Sequence, residues 1–148
     1  AGQALSPRHS DRRHEKENEM KLFGIEYEQT PARAEPGWDE TRLNLLACPI
    51  CSPYDGQEGC LHHESVHVFN RKGEEDSPTG LSVFIEGQSV SATSDADVET
   101  HNPSKRRNGM LIEFWCEICQ SGLYGKAPLY LAIAQHKGQT EVSWFVPK

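Results

Sequence analysis

The sequence lacks any long apolar run. Among its 148 residues, no stretch approaches the roughly 18 consecutive apolar residues that a membrane-spanning helix requires. The N-terminal region also lacks the basic segment followed by an apolar stretch that is typical of a secretion signal. These two absences favour a soluble chain without a membrane partner.

Positive charge is scarce as well. The chain carries 15 Lys and Arg residues against 22 Asp and Glu residues, which gives a net charge of -7 at pH 7. Because nucleic-acid affinity rests on the neutralisation of phosphates, this acidic balance disfavours a general binder of polyanions. It favours instead a partner protein with a basic surface.

Helical periodicity is missing from the interior of the chain. Short runs that alternate apolar and polar residues recur there, and they are bounded by turn residues such as Gly87, Gly109 and Gly138. The pattern predicts a mainly β fold, built as a small antiparallel sheet or sandwich. The predicted strands cover residues 65–70, 81–86, 89–93, 110–115, 129–135 and 140–146.

The first 41 residues differ from the rest in composition. Residues 1–20 are polar and of mixed charge, and prolines follow them. We therefore expect a mobile N-terminal segment and linker over residues 1–41, with an edge strand at residues 21–29. A zinc-stapled β-domain is expected over residues 42–148. An exposed edge strand permits dimerisation, so the sequence leaves the oligomeric state open.

The strongest motif is a pair of Cys-x-x-Cys sequences. The first knuckle is Cys48-Pro49-Ile50-Cys51 and the second knuckle is Cys116-Glu117-Ile118-Cys119. A two-residue spacer lets a tight turn direct both sulfurs at one ion while backbone N–H groups face the thiolates. We predict one structural Zn²⁺, because four thiolates fill a tetrahedral shell and leave no position for a substrate. Such spacing is typical of metal sites in reducing compartments, which predicts a cytoplasmic protein. The predicted ligands are Cys48, Cys51, Cys116 and Cys119.

In these two knuckles the chain resembles the zinc-ribbon class of proteins. The resemblance is limited to the knuckles, and with a long intervening segment the chain is similar to uncharacterised small bacterial and bacteriophage zinc-binding proteins. It implies a ribbon-like structural zinc clip attached to the β-domain, and it implies no enzymatic activity.

A second group of metal-binding residue types lies between the knuckles. Cys60, His62 and His63 follow the first knuckle closely. Any of them can replace a knuckle ligand, and a histidine can donate a hydrogen bond to a bound thiolate. A Cys60–His pair can alternatively act as a nucleophile, which leaves a thiol-dependent enzyme as one alternative function.

A short basic run supplies another alternative. Lys105, Arg106 and Arg107 form a loop before the strand that leads to the second knuckle, where they can grip phosphates or simply be solvated. A nucleic-acid-binding zinc module is therefore the second alternative. Because the sequence shows no complete catalytic constellation and the charge is acidic, we expect a zinc-binding protein-interaction module of the adaptor or inhibitor type.

Overall fold

The protein is all β over the residues that the structure describes. This computed structural model describes residues 19–32, 34–35, 45–51, 60–71, 79–97, 101–105 and 107–148. Within these ranges it contains ten strands and no helix, which confirms the predicted mainly β, antiparallel fold. The strands are β1 (Glu19–Leu22), β2 (Ile25–Pro31), β3 (Ala34–Glu35), β4 (Leu45–Leu46), β5 (Leu61–Arg71), β6 (Thr79–Glu86), β7 (Ser89–Asp97), β8 (Gly109–Cys116), β9 (Leu129–His136) and β10 (Gln139–Pro147).

Eight of these strands form one sheet rather than a sandwich of two. Their order is β1-β2-β10-β9-β8-β5-β6-β7, and every neighbouring pair is antiparallel. The strands β3 and β4 form a separate two-stranded ladder. The described residues include no helix long and apolar enough to cross a membrane.

The pairing of β5 with β8 decides where the candidate site lies. These strands are distant in sequence, yet Leu61 at the start of β5 stands opposite Cys116 at the end of β8. Cys60, which directly precedes β5, is therefore carried to the second knuckle. The sequence pattern contains no signal for this pairing, because alternation reports which face a residue occupies and not which strand lies beside it.

Two-residue turns connect β1 with β2, β6 with β7 and β9 with β10. At Lys137 and Gly138 the φ angles are 45° and 79°, and Gly87 in the β6–β7 turn has a φ of 57°. Positive φ angles suit the right-handed twist of a hairpin, so the predicted turns at Gly87 and Gly138 are confirmed. Phe23 and Gly24, with φ of 51° and 82°, make the same kind of turn. Where the sequence predicts one edge strand at residues 21–29, the structure has the β1–β2 hairpin.

Apolar side chains cover both faces of the central strands. Alternation along β9 places Leu129 and Leu131 on one face and Tyr130 and Ala132 on the other. The first cluster consists of Leu22, Tyr27, Phe69, Leu111, Tyr130, Ala132 and Phe145. The second consists of Cys48, Cys60, Phe114, Cys116, Leu129, Leu131 and Trp144. Cysteines contribute to the core on the second face alone.

The β1–β2 hairpin covers the first face. Its residues Leu22 and Tyr27 are fully buried, and the Tyr27 hydroxyl donates a hydrogen bond of 3.0 Å to the Pro128 carbonyl. Phe23 at the turn stacks on His101 with ring centroids 4.4 Å apart and lies 5.5 Å from the ring of His67 on β5. Since β1 and β5 are far apart in the strand order, these contacts show that the sheet curls. The predicted boundary between residues 41 and 42 lies outside the described residues.

The histidines under Phe23 make the stability of the fold depend on pH. Burial, with His101 nearby, lowers the pKa of His67 below 6.5, and burial lowers the pKa of His101 in the same way. Folding therefore favours the neutral rings, so the stability present above about pH 6.5 is lost as the pH falls through the lower native pKa. We expect the urea concentration at the unfolding midpoint to fall as the pH is lowered from about 7.5 to about 5, and to fall less in His67→Phe.

The ring of His67 already lies 4.0 Å from that of Phe84, so the variant places an aromatic ring among aromatic rings. His136→Phe is the matched control, because His136 is exposed at the end of β9. An equal loss of stability in the wild type and in His67→Phe would contradict this account.

Candidate metal centre

Five sulfur atoms meet on the second face of the sheet. The Sγ atoms of Cys48, Cys51, Cys60 and Cys116 all lie within 4.8 Å of one another. The Sγ atom of Cys119 lies 3.8 Å from that of Cys48. None of the five cysteines forms a disulfide. We call this group the cysteine cluster.

The second knuckle is a tight turn at the end of β8. The amide of Gln120 donates a hydrogen bond of 3.0 Å to the Cys116 carbonyl, and the amide of Cys116 donates one of 3.0 Å to the Ser121 carbonyl. Glu117 donates its amide to the Cys60 carbonyl at 2.9 Å, which ties the knuckle to the residue before β5. The chain reverses at Gln120, whose φ is 64°. These backbone hydrogen bonds orient the knuckle and involve no metal.

The first knuckle lies over the sheet. Cys48 is fully buried and packs in the same cluster as Leu129, Leu131 and Trp144. The segment that leads to it contains β4, which pairs with β3. The first knuckle therefore closes the second face of the core, and its sulfurs reach the second knuckle from above the sheet.

The thiols have unequal surroundings. Burial raises the pKa of Cys48, Cys51 and Cys60. Burial also acts to raise the pKa of Cys116, but the amides of Cys119 and Ile118 and the thiols of Cys60 and Cys51 lower it further than burial raises it. The amides of Cys51 and Ile50 face the sulfur of Cys48 in the same manner. In both knuckles, backbone N–H groups thus face the leading cysteine, as the Cys-x-x-Cys spacing predicts.

The geometry suits a tetrahedral ion. Zinc bonds to sulfur at about 2.3 Å, so the sulfurs of a tetrahedral site lie about 3.8 Å apart. The Sγ–Sγ distances are 3.8 Å for Cys48 and Cys119, 3.5 Å for Cys51 and Cys116, and 3.3 Å for Cys60 and Cys116. Buried thiolates need a compensating cation, which a metal ion provides. The cysteine cluster can therefore hold a metal ion.

The sequence left open whether Cys60 is a metal ligand or a nucleophile. The structure places its sulfur beside Cys116 inside the cluster, with sulfur atoms rather than an imidazole as its closest polar contacts. The signal available in the sequence was its place a few residues before the strand predicted at residues 65–70, which in the structure begins earlier, as β5 at Leu61. That signal becomes meaningful only when β5 is known to pair with β8.

The two histidines have other contacts. His62 stacks on Trp115, with ring centroids 4.0 Å apart, and contacts the carboxylate of Glu117. His63 meets the edge of Phe114 at 6.3 Å. The group of mutually close donor atoms consists of Cys48, Cys51, Cys60 and Cys116, so it contains neither histidine, and it has Cys60 where the sequence predicts Cys119.

The described residues of the basic loop are joined to β5 and β9 by hydrogen bonds. The Arg71 guanidinium donates to the carbonyls of Ser104 and Arg107 at 3.2 and 3.3 Å, and the hydroxyl of buried Ser104 accepts a bond of 2.9 Å from the amide of Gln135. Lys105 is exposed, whereas Arg107 is half-buried. Arg106 lies outside the described residues. The loop precedes β8, so it lies at the opposite end of that strand from the second knuckle.

These features define an all-β protein with one curled antiparallel sheet and a cysteine cluster that can hold a metal ion. Comparison with protein-family models, with curated proteins and with solved structures finds no match. Function must therefore be inferred from the residues of the site.

The left-handed residue of the second knuckle generates a stability prediction. Gln120 is exposed and has a φ of 64°, a conformation that costs a side chain about 1 kcal/mol or more and costs glycine little. We expect Gln120→Gly to stabilise the fold by roughly 0.5–1 kcal/mol, as measured by denaturant unfolding at fixed zinc concentration.

Gln120→Ala is the control, because alanine keeps the Cβ atom that opposes a positive φ. It should bring no gain. If both substitutions lowered stability equally, the contacts of the Gln120 side chain would matter more than its backbone conformation.

Proposed function

We propose that this chain is a protein-interaction module of the adaptor or inhibitor type, held together by one structural Zn²⁺ ion. The observation that supports a bound metal is the close approach of buried cysteine sulfurs from three separate segments. An all-sulfur donor set suits zinc among the common biological ions. Because thiolates persist in reducing surroundings, a cytoplasmic location is part of the proposal.

The role of the zinc is structural. Four thiolates complete its tetrahedral shell, so no position remains for a substrate or an activated water. The ion joins the first knuckle, the start of β5 and the end of β8, which are separated by long stretches of chain. Cross-links between distant segments restrict the unfolded chain most, so a metal at this place adds directly to the folding free energy.

The interaction surface lies at the tips of the two knuckles. Ile50 and Ile118, the third residue of each knuckle, are 47% and 45% exposed, and Tyr124 in the following loop is 85% exposed. We call Ile50, Ile118 and Tyr124 the knuckle surface. Apolar and aromatic side chains held on a rigid turn are suited to insert into pockets of a partner. The acidic net charge of -7 favours a basic rim around those pockets.

Removal of the metal tests the first half of the proposal. The purified chain should bind one equivalent of Zn²⁺, and an excess of chelator should lower its thermal transition, because metal binding and folding are coupled. Cobalt substitution should give the absorption of a tetrahedral thiolate site. Cys48→Ser and Cys116→Ser should each weaken zinc binding, since their sulfurs are buried at the centre of the cluster.

Exposed Ser94 supplies a control position, and Ser94→Ala should leave zinc binding unchanged. An unaltered melting transition after verified removal of the metal would contradict a structural zinc.

Affinity capture tests the second half. Zinc-loaded protein should retain a stoichiometric protein partner from its native lysate, and treatment with nuclease should leave that partner bound. A charge introduced by Ile118→Glu should abolish retention, because it places a carboxylate at the apolar knuckle surface. Val142→Glu is the matched control, since Val142 is similarly exposed at 44% but belongs to the middle of β10.

Capture that is lost with nuclease and with Lys105→Glu would replace this proposal with the nucleic-acid alternative. Equal retention by Ile118→Glu and Val142→Glu would remove the knuckle surface from it.

A further inference from the structure

The cysteine cluster contains one sulfur more than a tetrahedral metal can bind. Cys48, Cys51, Cys60 and Cys116 are the four whose sulfurs all lie within 4.8 Å of one another, whereas the set predicted from the sequence has Cys119, 3.8 Å from Cys48, in place of Cys60. A tetrahedral zinc site takes four protein ligands. One thiol therefore stays beside the metal-bound sulfurs whichever set is formed.

Cys60 and Cys116 form a close sulfur–sulfur contact. Their Sγ atoms are 3.3 Å apart, and both residues are buried. Their backbones are also linked, because the amide of Glu117 donates a hydrogen bond to the Cys60 carbonyl and Leu61 stands opposite Cys116 across β5 and β8. Neighbouring antiparallel strands lie at separations that a disulfide can bridge. The sulfurs of this pair are thus close enough to form a covalent bond.

We propose that Cys60 and Cys116 form an oxidisable dithiol that reacts with hydroperoxides, and that the resulting disulfide releases the zinc. The proposal rests on the zinc site proposed above. Because Cys116 belongs to both possible ligand sets, it does not depend on whether Cys60 or Cys119 supplies the fourth sulfur.

The reaction has two steps. The sulfur of Cys60 attacks one peroxide oxygen, the O–O bond breaks, and the leaving hydroxide takes the thiol proton, or a proton from solvent where Cys60 is a metal-bound thiolate, so that the products are Cys60 sulfenic acid and water. The Cys116 thiolate then attacks the sulfur of that sulfenic acid. The S–S bond forms, the S–O bond breaks, and the departing hydroxide takes a proton from solvent to form the second water. The two sulfurs supply the two electrons that reduce the peroxide.

Loss of the Cys116 thiolate opens the metal site. The electron pair that bound the metal now lies in the S–S bond, so the shell falls to three sulfurs at most, Cys48, Cys51 and Cys119. The first knuckle is attached to the sheet through this shell. Oxidation therefore releases the ion and loosens the segment that carries Ile50, one of the residues of the knuckle surface.

The test uses the zinc-loaded full chain and hydrogen peroxide, with a chromogenic zinc indicator and a map of the disulfides. Cleavage after glutamate separates the cysteines: Cys48 and Cys51 fall in residues 41–58, Cys60 in 59–64, Cys116 in 114–117 and Cys119 in 118–141. Zinc release should accompany a linked pair of the peptides 59–64 and 114–117. Reduction with a thiol in the presence of zinc should restore the bound state.

Cys60→Ser should release zinc about tenfold more slowly at the same peroxide concentration, because the neighbouring thiol is gone. The disulfide map of the wild type keeps the test decisive if this variant folds poorly. Zinc release with a link within either knuckle, or with no link to Cys60, would overturn the proposal. A wild type that binds no zinc would refute the proposed function instead. In that case, treatment of the metal-free chain with peroxide would still show whether Cys60 and Cys116 form a disulfide.

Discussion

The contact among cysteine sulfurs is the interaction on which one whole face of the sheet depends. Cys48 packs in one cluster with Leu129, Leu131 and Trp144. Contacts between thiol groups alone hold the first knuckle on the sheet only weakly, since thiols are poor hydrogen-bond partners. A bound metal ion would turn the same atoms into a strong cross-link and would compensate the thiolates buried there. The architecture of this face is therefore coupled to the chemistry of the cluster.

The opposite face is closed by different means. There the β1–β2 hairpin folds across the curled sheet and buries Leu22 and Tyr27 by ordinary apolar packing. Phe23 adds ring contacts with His67 and His101. The two faces consequently respond to different conditions. Protonation acts on the histidine face, whereas in our proposals metal supply and oxidation act on the cysteine face, and the central strands separate the two.

The proposed interface and the proposed metal centre occupy the same two turns. Ile50 and Ile118 project outward from the residues whose sulfurs point inward, so the orientation of each exposed side chain is set by its neighbouring cysteines. A partner that binds these side chains would favour the metal-bound form, and loss of the metal would weaken that partner. Recognition, metal binding and oxidation would then be linked through a few residues of backbone rather than through a long pathway.

Local pattern determined the elements, while contact between distant segments determined their arrangement. Alternation over residues 110–115 and 129–135 predicted strands close to β8 and β9, because a strand with one buried face must alternate. The spacing within each knuckle likewise identified turns whose amides face sulfur. The β1–β2 turn escaped prediction, since Phe23 is not a residue that favours a positive φ and its ring contacts come from β5 and β9. The place of Cys60 was not predicted either, because it depends on the pairing of β5 with β8. The sequence by itself determined a mainly β chain with two Cys-x-x-Cys turns of metal-site spacing, and only the tertiary structure decided the strand order, the curl of the sheet and the place of the fifth sulfur, because each depends on residues that meet across a distance no local pattern records.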